Sequence, residues 1–187
     1  MSFPGIPSLD AAVMAFIQTH FHNTVTDTVF PIITSLGEAG IGWIVLSLVL
    51  LCFKKTRRTG GLVLIAMTVT LLFGELTLKN IICRLRPCNV FTNFPMLIAR
   101  PTSYSFPSGH TSSSFAAALI LTLRHKKAGW LAYIPAVLIA FSRIFLFVHY
   151  PTDVLAGILL GTLAALLTYF AAKAIQKRQA EKRTAQI

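Results

Sequence analysis

The chain has 187 residues, 55% of them apolar and only 12% charged, with a mean hydropathy of +0.69. That balance argues against a soluble domain and for a single integral membrane unit. The formal net charge of +11 does not mark a nucleic-acid binder, because the cations fall in short clusters between apolar runs, the pattern of membrane orientation.

The N-terminus lacks a basic region, a short apolar core and a small-residue cleavage site, so no cleaved signal peptide is expected. Residues 9–33 are apolar on one side but carry Gln18, His20, His22, Asn23 and Asp27, which are costly against lipid. This stretch is expected to form an amphipathic helix or helix pair in the interface, broken near Asn23 and at Pro31. A sixth, poorly apolar span is the alternative. Five later runs suit a bilayer core, which takes about 20 helical residues: 41–53 extended back through 36, 62–82, 112–123 extended back to 108, 130–148 and 154–172. The expected fold is an all-α, polytopic transmembrane helical bundle of five spans with an N-terminal interfacial helix. Residues 1–35 would form the interfacial segment, 36–175 the core and 176–187 a basic cytoplasmic tail.

Orientation follows from the cations. Lys54, Lys55, Arg57, Arg58, Arg124, Lys126, Lys127, Lys173, Lys177, Arg178, Lys182 and Arg183 all fall on one side of these spans, which the positive-inside tendency makes cytoplasmic. The other five, Lys79, Arg84, Arg86, Arg100 and Arg143, fall on the opposite side. They lie in or between three short segments, K-N-I-I-C-R-L-R-P from Lys79, P-S-G-H from Pro107 and S-R-I-F-L-F-V-H-Y-P-T-D from Ser142.

Together these segments can handle a phosphate ester. Displacement at phosphorus redistributes charge over its oxygens, so positioning and electrostatic clamping do most of the catalytic work. Arg86 and Arg143 offer planar donor forks and Lys79 a point charge, with Glu75 one helical turn earlier able to hold Lys79 in place. A helix starting at Pro107 would aim free N–H groups outward. Gly109 would let an anion approach closely, and Ser108 could cap or donate its hydroxyl. His110 stands in the first turn of that helix. His149 sits between two spans with Asp153 close enough to orient it, leaving the far ring nitrogen free as nucleophile or base. Thr152 could cap the last span. Zinc is the competing idea, but three nearby cations would repel a divalent ion and there is no His-x3-His spacing.

K-x6-R-P, P-S-G-H and S-R-x5-H-x3-D, in this order, resemble the three signature motifs of the type 2 phosphatidic acid phosphatase superfamily, from Lys79 to Asp153. That superfamily also includes soluble vanadium-dependent haloperoxidases. The resemblance implies a phosphatase that needs neither metal nor cofactor. His149 would attack phosphorus to give a phosphohistidine, Asp153 would orient it, and His110 would protonate the leaving oxygen. Lys79, Arg86, Ser108, Gly109 and Arg143 would hold the phosphoryl group. The expected partners are a lipid phosphate substrate and membrane lipids, with no nucleic acid. Undecaprenyl diphosphate is favoured as substrate, ahead of phosphatidylglycerol phosphate or phosphatidate. A haloperoxidase-like oxidant and a non-enzymatic transporter or scaffold remain remote alternatives. The protein would sit in the cell membrane with its site on the extracytoplasmic face.

Three smaller expectations complete the sequence. Cys83 and Cys88 could bridge, but free thiols are the default. The apolar stretch 89–106 would roof the pocket, or dip into the outer leaflet, or pack over helix ends. Arg100 within it could meet a second phosphate, whereas Arg84 would stand beside the site.

Overall fold

A computed structural model describes residue 3 and residues 5–184, and every regular element among them is helical. Two N-terminal helices, α1 (Ser8–His20) and α2 (Thr24–Leu36), precede α3 (Ile41–Cys52), joined to α2 by a 3-10 turn at Glu38–Gly40. Next, α4 (Arg57–Thr70) runs through a π-helical stretch (Leu71–Leu78) into α5 (Lys79–Ile82), and a short α6 (Pro87–Val90) follows. The rest of the bundle is α7 (Gly109–Arg124), α8 (Lys126–Gly129), α9 (Tyr133–Phe145) and α10 (Pro151–Thr184).

The break between α1 and α2 falls where the polar cluster predicts it. Asn23 caps α2, its Oδ1 accepting the Val25 and Thr26 N–H groups at 3.0 and 3.1 Å, while Thr26 Oγ1 accepts the Asn23 N–H at 3.0 Å, a reciprocal capping box. Pro31, expected to break the helix, lies inside it. Proline removes one donor, and α2 continues past that single lost bond.

Helix α7 is the hub. Its 16 residues reach about 24 Å, short of a roughly 30 Å hydrocarbon core, yet its small residues Ser112, Ser114, Ala116, Ala117 and Ala118 are buried. Surrounded by protein, it need not be long enough to face lipid alone. Small residues let it approach α10 closely: a Cβ on Gly157 would stand 2.7 Å from the Ser108 carbonyl oxygen, and one on Gly161 would collide with that of Ser112. Backbones this close replace hydrophobic drive in a membrane bundle. Trp43 Nε1 donates to Ser114 Oγ at 2.9 Å, tying α3 to the same hub. The opposite face of α10 exposes Leu155, Leu159, Leu163 and Leu167, a lipid-facing stripe at helical spacing.

The protein is therefore a multi-pass membrane protein. The stretches Arg57–Val90, Lys126–Phe145 and Pro151–Thr184 are long and apolar enough to cross a bilayer, and the pair Thr24–Leu36 and Glu38–Cys52, bent by 44°, would make a fourth if it is one span. The last two spans differ in their bounds from the hydropathy pattern. Helix α9 stops at Phe145 rather than Val148, because Phe147 takes φ 60 and turns the chain back. Helix α10 starts at Pro151 and continues through the basic tail to Thr184.

Candidate active site

The turn between α9 and α10 presents His149. The Val148 and His149 N–H groups both donate to the Arg143 carbonyl oxygen at 3.2 Å, folding the turn onto the end of α9. Asp153, in the first turn of α10, accepts the Tyr150 N–H on Oδ2 at 2.9 Å and the Ser105 hydroxyl on the same oxygen. Its own carbonyl accepts the Ser108 N–H at 3.1 Å, which joins the second and third motifs.

His149 is 1% exposed. Its Nδ1 lies 3.4 Å from Asp153 Oδ2, and its Nε2 lies 2.9 Å from Arg86 Nη1. A guanidinium can only donate, so Nε2 accepts and the ring proton sits on Nδ1, facing the carboxylate. Burial, with Arg86, Arg143 and Lys79 adding their charge, pushes the His149 pKa well below the usual 6.5. At neutral pH the ring is uncharged and offers a lone pair to the cavity.

That cavity has a volume of about 890 Å³ and is lined by Lys79, Arg86, Gly109, His110, Arg143 and His149, with Glu38 and Glu75 on its wall. Lys79 Nζ meets both carboxylate oxygens of Glu75 at 2.7 and 2.8 Å, the pair that the i, i+4 spacing predicts. The Glu75 side chain lies where a Cβ on residue 109 would be, so a side chain there would push this carboxylate from its place at the start of α7. Arg86 is anchored by Ser103 and by the Val148 carbonyl oxygen. Arg143 Nη1 donates to Thr34 Oγ1 at 2.6 Å, while its buried Nε has no partner. His110 Nε2 is also buried without a hydrogen bond, with Glu38 Oε2 3.5 Å away.

Two predicted residues do not line the cavity. Asp153 stands behind His149, on the side given to it as the residue that orients the ring. Ser108 is fully buried, its Oγ 2.9 Å from Thr111 Oγ1, because the hydroxyl turns back into the first turn of α7. Arg100 lines the cavity, yet its guanidinium donates to the carbonyl oxygens of Cys88, Thr92 and Phe94. It is committed to bracing residues 89–106 rather than facing a second phosphate. Of that stretch, residues 98–103 line the cavity and Phe94 stacks on Phe147 at 3.9 Å, so it does roof the pocket. Cys83 is exposed, Cys88 is buried, and both thiols are free.

Thr34, Ser105 and Asp10 escape the sequence patterns, and Arg84 and Thr152, named there in other roles, join them. Thr34 braces Arg143, Ser105 braces Asp153, and Arg84 donates to both Asp153 and Asp10. Thr152, expected to cap α10, donates its N–H and hydroxyl to Asp10 instead. One signal was available. The chain has six acidic residues, and a carboxylate in an apolar N-terminal segment needs a partner from somewhere.

The family model described as PAP2 superfamily matches residues 59–177. The chain is 39% identical over 127 residues to an undecaprenyl-diphosphatase of Sulfolobus acidocaldarius, covering 67% of this chain and 61% of that one. The crystal structure of Aquifex aeolicus LpxE is similar in fold, with a TM-score of 0.77 at 24% identity, over 90% of this chain and 99% of that one. A PAP2-type phosphatidylglycerolphosphate phosphatase from Bacillus subtilis gives a TM-score of 0.74 at 29% identity, over 92% of this chain and 89% of that one.

Proposed function

Since the chain belongs to the PAP2 superfamily, we propose that it hydrolyses a lipid phosphate, with a polyprenyl diphosphate of the undecaprenyl kind favoured, at the extracytoplasmic face through a phosphohistidine. The observation that carries this is a neutral His149 Nε2 facing a cavity in which buried Arg143 Nε and His110 Nε2 have no partner. Unpartnered buried polar groups are costly, and a phosphoryl group would satisfy both.

The incoming phosphoryl oxygens meet Arg143 and Arg86, and draw Arg86 Nη1 away from Nε2. The freed lone pair attacks phosphorus as the P–O bond to the leaving oxygen breaks. His110, charged once the bound phosphate's negative charge offsets the cations around it, gives that oxygen its proton, and Asp153 balances the charge on the His149 ring. Water, deprotonated by His110, then cleaves the P–N bond and releases inorganic phosphate. Lys79, Gly109 and the first turn of α7 complete the cradle, with Ser108 beneath it. Ile44, Leu64, Met67 and Leu71 on the cavity wall suit the first carbons of a lipid chain.

The membrane arrangement favoured is five crossings, by α3, α4–α5, α7, α9 and α10, with α1 and α2 in the outer interface. Phe21, His22, Phe30 and Thr34 all touch positions 141, 143 or 145 of α9. These contacts lie at the site end of α9, which supports a place for α2 in the outer interface. Clustering of the motif cations opposite the other twelve supports an external site.

The likeness to the phosphatidylglycerolphosphate phosphatase keeps phosphatidylglycerol phosphate as the second reading. The test is phosphate release from a panel of lipid monophosphates and diphosphates, compared by kcat/KM in detergent. Preference for the polyprenyl diphosphate is expected; a larger kcat/KM for phosphatidylglycerol phosphate would transfer the assignment, and no release from any of them would end the proposal.

A further inference from the structure

Asp10 is fully buried in the first turn of α1. Its Oδ2 accepts Arg84 Nη2 and the Thr152 hydroxyl, each at 2.7 Å, and its Oδ1 accepts the Thr152 N–H at 2.9 Å. Arg84 uses Nη1 for Asp153 Oδ1 at 2.6 Å and for Thr152 Oγ1 at 2.7 Å, and its guanidinium lies 3.8 Å from the centre of the Tyr150 ring. One guanidinium thus bridges two buried carboxylates, one of them the partner of His149. Such charge-assisted bonds are strong, and losing one member leaves a buried charge exposed to its full desolvation cost. Asp10 lies outside residues 59–177, the part matched by the family model.

The consequence reaches the nucleophile. Asp153 Oδ2 is held by Ser105 and Tyr150 and stands 3.4 Å from His149 Nδ1, while Oδ1 belongs to Arg84. Arg84 therefore fixes where Oδ2 points and how much negative charge is left for the imidazole. Asp10 offsets Arg84, so that Asp153 is not over-neutralised.

We infer that Asp10 and Arg84 are positioning residues of this site: Arg84 fixes Asp153 against His149, and Asp10, delivered by the N-terminal helix, fixes Arg84. The kinetic consequence rests on the phosphatase chemistry proposed above, whereas the electrostatic one rests on the geometry around His149 alone. The other charged or titratable groups facing His149 are Arg86 in front of α6, Lys79 and Glu75 from the α4–α5 helix, His110 from α7, Arg143 from α9 and Glu38 from the turn before α3. All of them stay unchanged in the variants below.

The test uses the full chain in detergent as wild type, Asp10→Asn, Arg84→Gln and the double variant, each checked for cooperative thermal unfolding. Histidine ¹⁵N resonances, assigned by the signal missing in His149→Gln, report protonation of the ring. Removing the positive charge in Arg84→Gln should raise the His149 titration by about one pH unit, and adding Asp10→Asn should return most of that shift. Asp10→Asn alone should lower kcat for phosphate release about tenfold with KM unchanged. Indistinguishable titrations in folded wild type and Arg84→Gln, or undiminished kcat in Asp10→Asn, would overturn the inference. If the wild type hydrolyses no lipid phosphate, the phosphatase proposal fails while the titrations still decide this one. Should Arg84→Gln not fold, Arg84→Lys keeps the charge without the fork. It should lose kcat while His149 titrates as in wild type, and full kcat there would also overturn the inference.

Discussion

In the proposed mechanism His149 and His110 divide the chemistry between a nucleophile and a proton donor, and substitution should separate them. His149→Ala is expected to abolish phosphate release from every substrate. His110→Ala should recover part of its activity on substrates with good leaving groups, which need little general acid; equal loss on all substrates would remove its assigned role. Arg143 and Arg100 provide a second contrast, since both line the cavity but only Arg143 has an unpartnered, buried N–H. Arg143→Lys keeps the charge and loses the planar fork, so kcat/KM should fall by about 2–4 kcal/mol of transition-state stabilisation. Arg100→Lys, whose guanidinium serves backbone carbonyls, should loosen the roof of the pocket and cost far less in kcat/KM. The depressed pKa of His149 also couples to stability. The unfolded chain takes up the proton first as pH falls below about 6.5, so folding stability holds above that pH and declines below it. Thermal unfolding across pH 4–8 should show that decline in wild type and a shallower one in His149→Gln.

The elements that carry the three motifs were legible because each motif fixes its chemistry within a few residues. Lys79 and Glu75 share a helix face, His149 and Asp153 straddle a helix start, and Gly109 and His110 open α7. What escaped depends on docking between distant segments. Thr152 and Asp10 meet across 142 positions of sequence, and no local pattern announces such a contact. The π-helical stretch Leu71–Leu78 was equally hidden, because its apolar composition suits an α-helix as well. Helix α2 tests this distinction, since its Thr34 touches the clamp although its own sequence looks like membrane packing. Thr34→Val keeps the shape and leaves a buried Arg143 N–H unpaired, at a cost of about 1–3 kcal/mol. Kinetics should show it as reduced kcat/KM in a folded protein; wild-type kinetics would mean that Arg143 needs no support from α2.

At the scale of the whole molecule, the bundle sets a polar pocket at one end and a basic helix at the other. Helix α10 runs unbroken from Asp153 beside the site to Thr184, so the site and the tail are fixed on opposite ends of one rod. On a background without native cysteines, an impermeant thiol reagent added from outside should label a cysteine at Thr102 and miss one at Lys126. The reverse result would put the pocket in the cytoplasm. Activity should also survive EDTA, because the proposed chemistry draws its positive charge from side chains. Loss on chelation with recovery on added zinc or magnesium would overturn the metal-free mechanism.

The carboxylate of Glu75, wedged against Gly109 and bonded to Lys79, has a bearing on turnover. In the proposed mechanism it holds a lysine that the departing phosphate would otherwise keep, so ejecting the product and re-forming the ion pair would become one event. An enzyme built this way resists its own inorganic product. Glu75→Gln should bind inorganic phosphate more tightly, and progress curves that bend early at low conversion, straightened by enzymatic removal of phosphate, would reveal it. Curves as linear as those of wild type would mean that phosphate leaves without help from this carboxylate.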